Sequence, residues 1–126
     1  MEGSQRRPDA QLNVLGDPLT SCSHDPLTGC FRDGCCNTGP VDEGMHTVCA
    51  IMTDEFLEFS KEAGNDLSTP RPEFGFVGLN DGDQWCLCAA RWEQARQAGK
   101  APKIRLAATN QASLAVCRLD DLKMHA

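Results

Sequence analysis

The sequence predicts an α+β fold: a small mixed sheet with helices packed on it, preceded by a long irregular N-terminal segment. Proline and glycine recur throughout residues 12–44, and turn formers at this density leave no room for a long helix or strand. From residue 46 onward, short apolar runs alternate with helical patterns in the order strand, helix, strand, helix, strand, helix, helix. Strands that alternate with helices are commonly joined by right-handed crossovers, and such crossovers make the two strands parallel. We therefore expect at least one parallel pair in the sheet.

The length of the chain indicates one domain. Its 126 residues are enough for a single hydrophobic core without cross-links. We expect residues 12–126 to form this compact domain, with a short strand at 13–15 near its start. Residues 1–11 carry no apolar run and are predicted to be a disordered tail.

The first strand and helix are predicted from an apolar run and the signals that follow it. VCAIM, at 48–52, is a short continuous apolar run, as expected of a strand buried on both faces. Thr53 is a suitable N-cap, and the two acidic residues after it favour the positive end of a helix. We predict a helix over 54–63. Phe56 and Phe59 share one of its faces, so both are expected to face the sheet.

A long loop is predicted at 64–83, which has no periodic pattern. Four of its large apolar side chains are expected to pin it to the core: Phe74, Phe76, Val77 and Leu79. The next run, QWCLC at 84–88, is predicted to be a strand. The two-residue period of a strand puts its tryptophan and leucine on one face and its two cysteines, Cys86 and Cys88, on the other.

The C-terminal part of the chain is predicted to contain three more helices and one strand. These elements are a helix at 89–98, a half-exposed strand at 103–107, a short helix capped by Thr109 or Asn110 and ending near residue 116, and a last helix at 119–125. Gly99 and Pro102 end the first of these helices. The last helix has acidic residues at its start and basic residues at its end, as the helix dipole favours.

The charge and the hydropathy of the sequence each exclude one class of partner. The net charge is −6 and the isoelectric point is about 4.9. Such an acidic surface repels a phosphate backbone, so we expect no nucleic-acid partner. No stretch is long and apolar enough to span a bilayer, so we expect no membrane partner either.

The N-terminus and the cysteine content bear on the compartment. No apolar run follows the first basic residues, so the sequence predicts no secretory signal and a cytoplasmic protein. Cytosolic thiols are kept reduced, and we therefore expect all eight cysteines to be free thiols. The alternative is a secreted disulfide framework, which an even number of cysteines allows.

Nine short blocks, in order, carry a resemblance to a known family: NVLG, DPLTG, RDGCCNTGP, HTVCA, EFLEFS, GNDLSTP, FGFVGL, GDQWCLCAARW and APKIRL. The chain resembles a family of uncharacterised bacterial proteins catalogued as domain of unknown function 2237. The resemblance covers roughly residues 12–125 and implies a compact domain without an assigned activity. The family usually has an aromatic residue at Cys30 and an aliphatic one at Cys117. Both replacements are apolar, which implies that these two cysteines fill the core.

Thiol and imidazole groups form the first candidate site. Cys86 and Cys88 share a strand face, His46 begins the neighbouring strand, and the glycine-rich loop that carries Cys36 must pack against another element. We therefore expect Cys36, His46, Cys86 and Cys88 to converge. Three sulfurs and one nitrogen would suit zinc, which takes four such ligands in a tetrahedron. The competing interpretation is that these side chains pack together without an ion.

Two other candidate sites lie on loops. Cys36 and His46 could pair as a nucleophile and its base. A set of polar loop residues and one cysteine, next to glycine or proline, could face a small molecule: Arg32, Asp33, Cys36, Asn65, Asp66 and Arg71. The competing interpretation is that the polar residues cap turns.

These observations favour a thiol-rich binding module for a metal ion, with zinc as the candidate, or for a small molecule. The alternatives are a small enzyme that uses Cys36 and His46, and a structural or interaction protein without a site. Bound metal or ligand in the purified protein would favour the first interpretation. One hyper-reactive thiol would favour the second.

Overall fold

The computed structural model describes residues 11–126 and contains a three-stranded sheet. The strands are β1 (His46–Ile51), β2 (Gln84–Cys88) and β3 (Lys103–Ile104), in the order β2-β1-β3. The α+β class is confirmed, but the expected parallel pair is wrong, since β1 pairs antiparallel with both of its neighbours. The chain between β1 and β2 returns to the end of β1, where the Met52 N–H donates to the Asp83 carbonyl at 2.7 Å. The second strand therefore runs back along the first.

Three α-helices accompany the sheet: α1 (Asp54–Glu62), α2 (Ala89–Gln97) and α3 (Leu119–Met124). The Thr53 hydroxyl caps α1 by accepting the Phe56 N–H at 3.0 Å. Short 3₁₀ helices lie at Pro72–Phe74, Leu106–Ala108 and Gln111–Ala115. The short helix predicted after Asn110 is the last of these, and the Asn110 side chain caps it. The strand predicted at 103–107 has only two residues because a 3₁₀ helix begins at Leu106.

The main core lies between the sheet and the helices. Phe56 is 1% exposed, as predicted, but Phe59 is only partly buried. The buried face of α1 carries Phe56, Leu57 and Ser60, so it is rotated away from Phe59. Trp92 is fully buried in α2, and its indole N–H donates to the Pro102 carbonyl at 3.1 Å.

Residues 11–45 form an irregular segment. This segment contains no helix, and its β-bridges are isolated single bridges. The strand predicted at 13–15 is wrong. The Asn13 side chain instead closes a turn by accepting the Leu15 N–H at 2.9 Å and the Asp17 N–H at 3.1 Å. Most of the predicted tail, residues 1–10, lies outside the described residues. Gln11 is ordered, and its side chain exchanges hydrogen bonds with the backbone of Thr38 at 2.8 and 3.0 Å.

The loop at 64–83 is pinned to the core by only part of its apolar set. Leu79 is 2% exposed, and Phe76 is partly buried against the core. Phe74 and Val77 are 76% and 69% exposed, so the prediction that they anchor the loop is wrong. Phe74 lies in the 3₁₀ helix Pro72–Phe74, none of whose residues is buried.

Two disulfides join the irregular segment to the sheet. Cys22 bonds Cys49 of β1, and Cys36 bonds Cys86 of β2. The expectation that all eight cysteines are free is therefore wrong. A segment without regular hydrogen bonding is held to the sheet here by covalent bonds. Within residues 11–126, no helix is long and apolar enough to cross a membrane.

Candidate functional site

A pocket of about 640 Å³, lined by both polar and apolar side chains, lies where the irregular segment meets β1, β2 and α2. This volume is within the usual range for small-molecule sites. The irregular segment supplies Arg32 and Asp42, β1 supplies His46, and β2 supplies Cys88. Other side chains that line the pocket are Cys30, Val41, Glu43, Asn65, Leu67, Trp85 and Arg91.

His46 and Asp42 form a hydrogen-bonded pair in the pocket. The His46 Nδ1 lies 2.6 Å from Asp42 Oδ1. The other carboxylate oxygen accepts the His46 N–H and the Thr38 hydroxyl, each at 2.9 Å. The Asp42 side chain is 1% exposed, whereas the His46 side chain is 45% exposed. A buried carboxylate therefore fixes an accessible imidazole through Nδ1, which leaves Nε2 for a ligand.

Gly44 makes room for the imidazole ring. A Cβ atom at this position would lie 2.5 Å from His46 Cε1 and 3.0 Å from Nε2. Real Cβ atoms do not approach other atoms so closely, so any larger residue would displace the ring. The sequence D-E-G-M-H at 42–46 thus combines the acid, the spacer and the imidazole within five residues.

Two arginines border the pocket. Arg32 has a left-handed backbone, with φ of 54°, and its guanidinium carbon lies 5.5 Å from the centre of the Trp85 ring. That contact is a cation–π interaction, which fixes the direction of a flexible side chain. Arg91, in α2, donates to the Ala63 carbonyl at 3.1 Å. Both cationic groups are thus positioned by the fold.

Two thiols lie at the same pocket. Burial raises the pKa of the Cys30 thiol, the negative charge of Asp42 raises it further, and the charge of Arg32 lowers it. Cys88 is the register partner of His46 and the N-cap residue of α2. The expectation that Cys30 fills the core is wrong, because this residue is only partly buried and lines the pocket.

Cys117 occupies the core, as the family resemblance implied. It is 2% exposed, and its thiol donates to the Ala89 carbonyl at 3.6 Å. Burial raises the pKa of Cys117 to about 12. This thiol is therefore a packing group at neutral pH.

The polar loop residues predicted to bind a small molecule divide into two groups. Arg32 and Asn65 line the pocket. Asp33 caps a turn by accepting the Cys35 N–H at 3.0 Å. Asp66 likewise accepts the Ser68 and Thr69 N–H groups and the Thr69 hydroxyl, and the hydroxyl bond is the main cause that lowers its pKa.

The four predicted zinc ligands are only partly brought together. Cys36 and Cys86 meet, but they form a disulfide and have no thiolate to donate in this state. His46 and Cys88 are opposite each other on β1 and β2. Zinc binding by this set stays a prediction for the reduced chain.

The predicted nucleophile, Cys36, is fully buried and oxidised, so it cannot act as one in this state. The partner of His46 is Asp42, which the sequence analysis did not select. An acidic residue four positions before a histidine was the available signal. Trp85 and Arg91 were also missed as pocket residues, because only the tertiary fold brings them to the irregular segment.

Fold and site together define a small α+β protein, cross-linked by disulfides, with a pocket that contains an Asp–His pair. The chain belongs to the family described as "Uncharacterized protein conserved in bacteria (DUF2237)", whose model matches residues 12–126. The resemblance seen in the sequence is thereby confirmed. No curated protein matches the chain.

Proposed function

We propose that the protein binds a small molecule with a carboxylate or phosphate group in the pocket beside His46. The observation that carries this proposal is the half-exposed imidazole, held in place by a buried carboxylate. Ligand sites are typically concave, with a few polar groups fixed in direction by the fold. His46 meets this description, since Asp42 holds its Nδ1 and the residue lines the pocket.

The charges around the pocket support an anionic ligand. The whole chain carries a net charge of −6, yet Arg32 and Arg91 both border this cavity. Two acidic residues, Asp42 and Glu43, also line the cavity, but the Asp42 side chain is 1% exposed and its oxygens accept three hydrogen bonds, so they are not open to a ligand. Arginine and imidazole are effective donors to carboxylate and phosphate oxygens.

Titration calorimetry with inorganic phosphate and with succinate tests this proposal. We expect at least one probe to bind, and Arg32→Gln or His46→Asn to weaken that binding by about tenfold, as expected for one charge-assisted hydrogen bond. Arg71→Gln is the matched control, because Arg71 is exposed and does not line this pocket. Absence of heat with both probes, or an equal loss in the control variant, would contradict the proposal.

A second candidate function is thiol chemistry at Cys88, in place of the predicted Cys36. Cys88 is the register partner of His46 in the β1–β2 ladder and the N-cap residue of α2, whose N-terminus stabilises negative charge. His46 is in turn oriented by Asp42, so acid, imidazole and thiol follow the order of a nucleophilic triad.

Alkylation by iodoacetamide, mapped by mass spectrometry, tests the second candidate. The Cys88 sulfur attacks the methylene carbon and iodide leaves. If His46 activates the thiol, His46→Ala should slow this reaction by about tenfold or more. An unchanged rate at Cys88 would rule out such activation while leaving ligand binding open to its own test. The cytoplasmic location predicted from the sequence is also kept as a proposal, and cell fractionation tests it.

A further inference from the structure

Four cysteines form a second buried cluster, separate from the main core. Cys22, Cys36, Cys49 and Cys86 are each at most 6% exposed, and Ala108 is the other member of this cluster. The sulfur atoms of Cys22, Cys36 and Cys49 lie within 4.8 Å of one another, and Cys86 is bonded to Cys36. The two disulfides are therefore neighbours. We call the four cysteines the sulfur cluster.

Two members of the sulfur cluster are placed by the sheet. Cys49 and Cys86 are opposite each other in the β1–β2 ladder. Their N–H groups bond outside the ladder, Cys49 to the Thr109 hydroxyl at 3.2 Å and Cys86 to the Thr28 hydroxyl at 2.9 Å. This is the pattern of a non-hydrogen-bonded pair, in which facing side chains lie closest together.

The other two members, Cys22 and Cys36, are placed by hydrogen bonds between their backbones and other loop residues. The Cys22 N–H donates to the Gly34 carbonyl at 2.7 Å. The Cys36 carbonyl accepts a hydrogen bond from the Asn110 side-chain amide at 3.0 Å. The backbone N–H of Asn110 in turn donates to the Thr47 carbonyl of β1 at 2.8 Å. None of these bonds involves sulfur. These hydrogen bonds do not depend on the disulfides, so they remain available to hold the four cysteine backbones near one another after reduction.

We propose that, once reduced, the sulfur cluster binds one zinc ion through four thiolates. Zinc takes four thiolates in a tetrahedron, and sulfur ligands favour it over calcium or magnesium. Each disulfide accepts two electrons and two protons from a dithiol donor, which becomes a disulfide itself. Zinc then displaces four thiol protons to solvent, so four Zn–S bonds replace two S–S bonds. The redox state of the chain decides whether the metal is bound.

This ligand set differs from the one predicted by the sequence. It keeps Cys36 and Cys86 but replaces His46 and Cys88 with Cys22 and Cys49. The four ligands come from four separate segments, so no short metal-binding spacing marks them in the sequence. The site shares Cys86 with the lining of the anion pocket but differs from it in its ligand and in its other three residues, so the two proposals can fail independently.

Metal binding by the reduced protein under anaerobic conditions tests the proposal. A phosphine reduces each disulfide and leaves as its oxide, with the oxygen and two protons supplied by water, and it adds no competing thiol. We expect elemental analysis after desalting to find one zinc per reduced chain and none per oxidised chain. Cobalt in place of zinc should show the visible absorption of a tetrahedral thiolate complex. Folded, reduced protein without metal would overturn the proposal.

Variants distinguish the two ligand sets. Cys22→Ser and Cys49→Ser should abolish stoichiometric binding, whereas Cys88→Ser and His46→Ala should retain it. The reverse pattern would overturn this proposal and favour the set predicted from the sequence. If the serine variants fail to fold, zinc X-ray absorption of the wild-type protein decides. Four sulfurs at about 2.3 Å support the proposal, and a nitrogen ligand contradicts it.

Discussion

The two disulfides should account for a large part of the stability of the oxidised protein. They close loops of different length, with sequence separations of 27 residues for Cys22–Cys49 and 50 residues for Cys36–Cys86. In the chain-entropy treatment, a cross-link destabilises the unfolded chain by an amount that grows with the logarithm of the loop length. For these separations the stabilisation is about 3.5 kcal/mol and about 4 kcal/mol respectively. Small proteins have total stabilities of about 5–15 kcal/mol, so either loss is large.

Urea unfolding of paired alanine variants measures these contributions. One variant replaces both cysteines of the first disulfide (Cys22→Ala with Cys49→Ala), and the other replaces both cysteines of the second (Cys36→Ala with Cys86→Ala). Each variant should lower the free energy of unfolding by at least the loop-closure stabilisation given above for its disulfide. Reduced wild-type protein keeps the sulfur atoms but lacks the cross-links, so it separates the loop term from the packing term. Cys88→Ala is the control outside both disulfides. A loss below about 1 kcal/mol in both paired variants would show that these disulfides do not stabilise the protein in solution.

Three further predictions follow from burial and close contacts. Phe56→Ala should cost about 3–5 kcal/mol in the free energy of unfolding, and Phe59→Ala clearly less, because only Phe56 is fully buried. Equal losses in denaturant unfolding would show that the buried face of α1 is misassigned. Gly44→Ala should displace the His46 ring and weaken anion binding in calorimetry, with the unfolding midpoint little changed; unaltered affinity would contradict the role of the ring. Burial raises the pKa of Cys117 to about 12, so its neutral thiol stabilises the fold at neutral pH, and this contribution is lost as the pH rises from about 9 towards 12. Cys117→Val should therefore lose less stability over that pH range, and a pH dependence identical to that of the wild type would refute this.

The regular elements could be predicted from the sequence because their signals are local. Four residues of the apolar run, 48–51, lie in β1, and Met52 follows the strand directly. Thr53 caps α1 as expected. The alternation in QWCLC also placed the residues of β2 correctly, since Trp85 and Leu87 pack with the main core while Cys86 joins the other cluster. Strand direction was wrong because chain connectivity, rather than local pattern, determines it.

The site was harder to predict because its parts are far apart in the sequence. Arg32 and Trp85 meet only after the irregular segment folds onto the sheet. Disulfide pairing also depends on tertiary distances, and eight cysteines allow about a hundred complete pairings. His46 was selected for its thiol neighbours, whereas its ring is hydrogen-bonded to Asp42, a carboxylate four residues earlier in the irregular segment.

The two walls of the pocket come from the two parts of the chain that the disulfides join. Arg32 and Asp42 belong to the segment that the sulfur bonds attach, while His46 and Cys88 belong to the strands to which it is attached. A ligand that contacts both walls would join the same two parts of the chain without a covalent bond. By thermodynamic linkage, such a ligand would resist detachment of the segment, and the sulfur bonds would in turn strengthen its binding. Ligand occupancy and cysteine oxidation would then be coupled equilibria in this protein.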